Sequence, residues 1–182
     1  MKGIFYICCT LGLIFLFSSS CDNLNILDEV LSFESEDLLM DFSIEPADVL
    51  GYHIFKEKTV HSNLDSLFEA KDFSANRLES ITLVTAIVEI TGPSDTMSLS
   101  YLDMVKITIY TPELGEGTIA ENLKIPVGVK KIELDIMEGD MKGYLEAEEY
   151  ILTVYGILNT RSYDKRELEA RIKYKFTMTP GF

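Results

Sequence analysis

Two histidines, three small groups of carboxylates and a run of tyrosines are the side chains that could carry chemistry in this chain. His53 and His61 stand eight positions apart within one alternating segment. On a straight strand that is about 26 Å, at roughly 3.3 Å per residue, too far for the pair to share one metal. No Gly-x-Ser-x-Gly elbow is present to present a nucleophilic serine. Glu34, Glu36 and Asp37, then Glu138 and Asp140, then Glu146, Glu148 and Glu149, are close enough in sequence to suggest acid–base pairs or calcium ligands. None follows the twelve-residue calcium loop with its central glycine. In a chain with 30 Asp and Glu, such neighbours are expected to form a solvated acidic surface. Neither a catalytic set nor a metal or other cofactor is expected.

The tyrosines are more suggestive. Tyr144, Tyr150, Tyr155, Tyr163 and Tyr174 fall within 31 residues, and amphipathic rings on a surface stack on sugars or line protein interfaces. Tyr174 lies on the inward face of its segment and is expected in the core. Tyr155 alternates against Tyr150, Leu152 and Val154, so it points the other way. Tyr155 and Tyr163 are the candidate surface-binding residues, with a glycan or another envelope protein as partner.

One cysteine carries a separate chemistry. Met1-Lys2-Gly3 is followed by an uncharged apolar run from Ile4 to Phe17, then by Ser18, Ser19, Ser20 and Cys21. This is the layout of a secretory signal. An apolar run of about fourteen residues is short of the roughly twenty that a spanning helix needs. Small residues directly before Cys21, with Leu16-Phe17 upstream, resemble the bacterial lipobox, in which the cysteine is acylated and becomes the new N-terminus. The resemblance implies cleavage before Cys21 and attachment to a membrane through lipid on that residue. Serine directly before the cysteine departs from the commoner glycine or alanine. Only Asp22 is acidic immediately after Cys21, which favours an outer-membrane protein facing the periplasm over one displayed at the cell surface.

Charge and cysteine usage narrow the rest. Loss of residues 1–20 removes Lys2 and leaves 15 basic against 30 acidic residues, a net charge of −15. Such a chain repels nucleic acid and anionic head groups at long range. Cys8 and Cys9 leave with the signal and Cys21 is consumed by lipid, so no disulfide or thiolate chemistry remains for the domain. About 150 residues can still bury a full core without staples.

The elements that must position these residues are mostly strands. Leu38, Met40, Phe42 and Ile44 alternate with polar neighbours up to Pro46, which is the pattern of a half-buried strand. Tyr52 to His61 is a second strand, and Ser62-Asn63-Leu64-Asp65 supplies a capping-box-like start to a short helix reaching about Lys71. Leu78 to Thr91 is the longest run, with Val84, Ala86, Val88 and Ile90 on one face and Ile81, Leu83 and Ile87 on the other. It ends at the turn cluster Gly92-Pro93-Ser94-Asp95.

Val105 to Tyr110 precedes Pro112 and a Gly115-Glu116-Gly117 turn. Ile132, Leu134 and Ile136 form one further strand, and Asp140 caps a second short helix carrying Met141, Tyr144 and Leu145. Tyr150 to Leu158 follows. The last strand alternates most cleanly, with Leu168, Ala170, Ile172, Tyr174, Phe176 and Met178 inward. Six or seven strands with no intervening long helices predict an all-β fold, a two-sheet antiparallel sandwich of immunoglobulin-like or jelly-roll type with two short helices. The expected organisation is a signal over 1–20, a partly packed tether over 21–36 and one domain over 37–182.

The signal ending at Cys21, the Leu102-Asp103 to Tyr110 strand with its glycine turn and Ile119-Ala120, the Tyr144-Leu145 helix and the closing Lys173 to Met178 strand together resemble uncharacterised Bacteroidota-type β-sandwich lipoproteins. That resemblance implies an envelope lipoprotein and carries no catalytic or binding residues with it. The expected function is a non-enzymatic binding or accessory module. Two alternatives stand beside it: a pilus or adhesin subunit assembled by strand addition, and a carboxylate-dependent hydrolase.

Overall fold

Alternation of apolar and polar residues runs through the chain, and it resolves into ten strands and two short helices among the described residues. The computed structural model describes residues 31–46, 48–92 and 97–179. The signal, Cys21 and residues 93–95 of the turn cluster lie outside them. In order the elements are β1 (Leu31–Glu34), β2 (Leu38–Ile44), β3 (Gly51–His61), α1 (Leu64–Ala70), β4 (Leu78–Ile90), β5 (Leu102–Thr111) and β6 (Gly115–Asn122). Then come β7 (Lys131–Glu133), β8 (Asp135–Ile136), α2 (Lys142–Leu145), β9 (Glu149–Leu158) and β10 (Arg166–Met178).

These strands make two antiparallel five-stranded sheets, an all-β sandwich. The first runs β1–β10–β4–β7 with β2 also paired to β10, and the second runs β3–β9–β5–β6–β8. β10 is the spine of the first sheet. One of its edges pairs along β4, from Leu168 opposite Ile90 to Met178 opposite Leu78. Its other edge is shared between β2, opposite Arg166 to Ile172, and β1, opposite Lys175 to Met178. Leu168, Ala170, Ile172, Tyr174, Phe176 and Met178 are all buried, as their spacing predicts. Each large apolar side chain removed from water in this way contributes roughly 1.5–3 kcal/mol. Leu31–Glu34, within the segment read as a tether, is itself a strand, and Phe33 stacks on Phe176 at 5.0 Å.

Local irregularities correct four details of the sequence reading. In β4 the register skips Val84, so Thr85 faces Lys173 and Leu83 faces Tyr174. A bulge of this kind shifts the alternation by one residue. Ile81 and Leu83 therefore join Ala86 and Val88 in one core instead of lining an opposite face, while Ile87 is buried outside that cluster. The expected Gly115–Gly117 turn is the start of β6, because the chain reverses earlier, at Pro112–Leu114, and Thr111 pairs with Gly115. The expected single strand through Ile132, Leu134 and Ile136 is divided. β7 belongs to the first sheet and β8 to the second, and Leu134 crosses between them with its N–H donated to Ala86 O.

Ser62 is not a cap. α1 starts after Asn63 with no side-chain cap bond, and the Ser62 hydroxyl donates instead to Leu145 O at 2.6 Å. Asp140 does organise the entry to α2: its Oδ1 accepts from Lys142 N and from Ile81 N, each at 2.9 Å.

Candidate functional site

The sandwich has one seam where the outer edge of β2 approaches the outer edge of β3. Along part of it the two sheets are sealed by aromatic stacking. Phe42 of β2 lies 5.7 Å from Phe55 of β3, and the His53 ring lies parallel to Phe55 at 5.8 Å. Phe55 is the bulged residue of β3, skipped between Ile54 and Lys56 in the pairing with β9. Its ring covers Gly156 and fills the space that a Cβ there would take. Glycine is required there because the ring has taken the side-chain space.

Beyond this stack the seam opens. Lys58 Nζ reaches across to Leu39 O at 2.9 Å, and past that bridge lies a cleft of about 940 Å³. One wall is the β1–β2 connection with the start of β2, the other is the end of β3, and α1 closes one side with Leu64 and Leu67. Tyr150, Tyr174 and Phe176 line its interior. The widening has a local cause. Three residues, 35 to 37, span the gap between β1 and β2 opposite Lys173 and Tyr174. Ser35 holds that bulge to the spine: its N–H donates to Tyr174 O at 2.8 Å, and its Oγ accepts from Tyr174 N at 3.0 Å.

The two cleft tyrosines are electrostatically alike. Burial pushes the Tyr150 phenol up to about 12. It pushes the Tyr174 phenol well above its ordinary value, with the neighbouring Tyr150 adding to the shift. Both are therefore protonated, hydrogen-bond-donating groups at neutral pH. Tyr174 is 3% exposed and its hydroxyl has no hydrogen-bond partner. A buried polar group left in that state costs about 1–3 kcal/mol.

The rim of the cleft is charged and largely engaged. Asp37 lies 3.3 Å from Lys173 and 3.6 Å from Arg171, and Glu34 lies 3.7 Å from Lys173. His61 Nδ1 lies 3.5 Å from Glu149 across β3 and β9. Glu34 and Asp37 of the first carboxylate group are thus parts of an ion-pair lattice on the first sheet, which Arg171 extends to Glu89 and Glu169 at 2.9 Å each. Among the described residues, no group of three or more His, Cys, Asp or Glu is placed to hold a metal.

Tyr155 does face away from the core, on the outer surface of the second sheet. It is built into a cross-strand ladder there. Tyr52 of β3 stacks on it at 5.4 Å from one neighbouring strand, and Lys106 of β5 places Nζ 5.0 Å from its ring from the other. Its hydroxyl donates to Glu116 Oε1 at 2.8 Å, an acceptor shared with Thr108 Oγ1. The hydrogen bond from Tyr155 is the largest cause holding the Glu116 carboxyl below its ordinary range, and the same bond raises the Tyr155 phenol. Tyr163 stands apart on the β9–β10 loop, 91% exposed. The two tyrosines singled out by sequence thus sit on separate elements. Cys21 lies outside the described residues. The cleft was not foreseen, because its lining is gathered from five separate stretches of chain and the missing partner of Tyr174 has no sequence signature.

Fold and cleft together define a two-sheet sandwich with a concavity at its open seam. No family model matches the chain, and no curated protein matches it in sequence.

Proposed function

We propose that this is a lipid-anchored envelope lipoprotein, tethered through Cys21, whose sandwich binds a ligand without transforming it. The observation that carries the reading is the seam cleft, lined by Leu64, Leu67 and Tyr150, in which two of the three lining carboxylates, Glu34 and Asp37, are paired with Lys173 and Arg171. Concave sites with apolar walls and a few placed polar groups are the common form of a small-ligand site. Two acyl chains on Cys21 would give firm attachment, since one binds only marginally. The location that follows is the outer membrane, on the periplasmic side.

Strand addition is the weaker reading. β10 is already paired along both edges. The seam edges carry devices that resist a further strand, namely the Phe55 bulge and the inward-reaching Lys58. The opposite edge strands, β7 and β8, are three and two residues long.

The anchor is tested by Cys21→Ser, which should release a folded protein from the membrane fraction; a variant still recovered there would show another means of attachment. The binding reading is tested on the purified chain by glycan and envelope-protein capture alongside product analysis. Retention of an unaltered ligand is expected, and turnover of that ligand would overturn the reading.

A further inference from the structure

We infer that the loop end of the sandwich at which β10 begins is a self-association surface, on which a second copy of this chain docks tip to tip. The inference does not depend on the cleft.

Four connections meet at that end: β2–β3 (45–50), β4–β5 (91–101), β6–β7 (123–130) and β9–β10 (159–165). They carry apolar side chains that the core does not take. Val49, Leu50, Leu123, Val127 and Tyr163 are each more than half exposed, and Tyr52 and Ile54 continue the strip onto the start of β3. Among the described residues, the one other large apolar side chain so exposed is Leu114. The connections are tied to one another: Lys165 lies 3.6 Å from Glu45, Asn159 Nδ2 donates to Ser100 O at 3.3 Å, and Ser100 Oγ accepts from Gly128 N at 2.8 Å. The tips are thus held out in place, so docking has little left to order.

Charge selects the partner. The four connections at this end hold four acidic and four basic residues, whereas those at the other end (35–37, 62–77, 112–114 and 137–148) hold ten acidic against three basic. A second copy, itself at −14, is opposed by charge at the acidic end and not at this one. The patch also carries both signs unpaired. Lys124, Arg161 and Asp164 are exposed beside the apolar tips, and among the described residues none of the three is in an ion pair. A carboxylate of one copy can therefore face a cation of the other around an apolar centre, as a self-complementary two-fold contact requires. A bilayer fits less well. Leu31 pairs with Met178 at the far end of β10, so the tether proposed to end at Cys21 leaves from there. Its ten residue steps reach about 33 Å, short of the roughly 40 Å along β10.

The chain over 21–182 carrying Cys21→Ser, which removes lipid as a cause of clustering, would be followed by sedimentation equilibrium from about 5 μM to about 1 mM, the range of weak, small interfaces. A reversible monomer–dimer equilibrium is expected, closing at two because both copies use the same patch. Val127→Glu and Tyr163→Glu, at side chains that the core does not hold, should each weaken it by about tenfold with the thermal melt unchanged. Leu114→Glu, at the acidic end, should leave it as it was. A chain that stays monomeric across the range overturns the inference, as does association indifferent to both tip variants or abolished by Leu114→Glu. Growth beyond two overturns the tip-to-tip arrangement. Flotation of the same chain with vesicles of phosphatidylcholine and phosphatidylglycerol, lost in Val127→Glu, would assign the tips to a bilayer and overturn the second copy as their occupant.

Discussion

Two tyrosine pairs sit in opposite circumstances in this molecule. On the outer face of the second sheet, Tyr52 and Tyr155 are accessible, stacked and tied to Lys106 and Glu116. In the seam, Tyr150 and Tyr174 are buried at 6% and 3% exposure, and the Tyr174 hydroxyl has neither a partner nor access to solvent. Exposure alone would select the first pair as a binding surface. The Tyr155 hydroxyl is already bonded to Glu116 within the protein, however, so a ligand there would have to compete with that bond. In the seam the Tyr174 hydroxyl is unmet, as is that of Tyr101 away from it, and both are closed to solvent. Accessibility and unmet hydrogen-bonding capacity thus fall on different residues of this fold.

The sharpest way to break the comparison is to show that the cleft floor is not part of the core. Phe176→Asp places an unpaired carboxylate among Phe33, Phe68 and the buried face of β10. It should cost several kcal/mol, comparable with a domain's whole stability. Thermal melts check this, and a mild effect would dissociate floor from core.

Tyr174→Phe should do the opposite and stabilise the ligand-free protein by about 1 kcal/mol, because it deletes a buried hydroxyl with nothing to bond. Chemical denaturation at neutral pH measures the gain, and a loss would mean the hydroxyl serves the fold. The same variant sharpens the contrast at high pH. Unfolded phenols ionise near 10, whereas burial pushes Tyr101 and Tyr150 up to about 12 and raises Tyr174 well above its ordinary value. The unfolded state therefore binds fewer protons above about pH 10, and stability, flat below that, should fall as pH rises toward 12. Tyr174→Phe should make that fall less steep.

Tyr155→Phe, on the other face, should change stability by no more than about 0.5 kcal/mol, since its bond to Glu116 is made at the surface. Lys173→Gln should do as little, because its contacts to Glu34 and Asp37 are solvent-screened ion pairs. Denaturation midpoints of both decide this. A large loss at Tyr155 would mean that the ladder carries more of the fold than its exposure implies.

What the sequence could convey follows from how far each signal travels along the chain. β2, β9 and β10 were legible because alternation is local and their registers are unbroken where it counts. β4 was misread in its faces because the bulge at Val84 reverses the alternation, and which residue bulges is decided by pairing with β10. β6 was hidden by Gly115 and Gly117, which look like turn residues; Gly117 is a strand residue lying against Tyr144, where an added Cβ would sit 2.8 Å from the hydroxyl. Ser62 matched a capping pattern, but its hydroxyl had a tertiary acceptor in Leu145. Tyr150 and Tyr174 were correctly expected to pack. That one of them would be left without a partner depends on Ser35, Leu64 and Val60 converging from distant stretches, and no window of sequence contains that.

The position of β10 also sets the order in which the molecule can come into being. β10 is the strand that β1, β2 and β4, all earlier in the chain, require, and the Ser35–Tyr174 contact joins residues 139 positions apart. Until that strand emerges, none of the three has its spine, and the first sheet exists only as loose segments. Closing such distant pairings is slow, since the loop entropy is spent before the contacts are gained. Before β10 joins, the unpaired edges of β2 and β4 are exposed to aggregation.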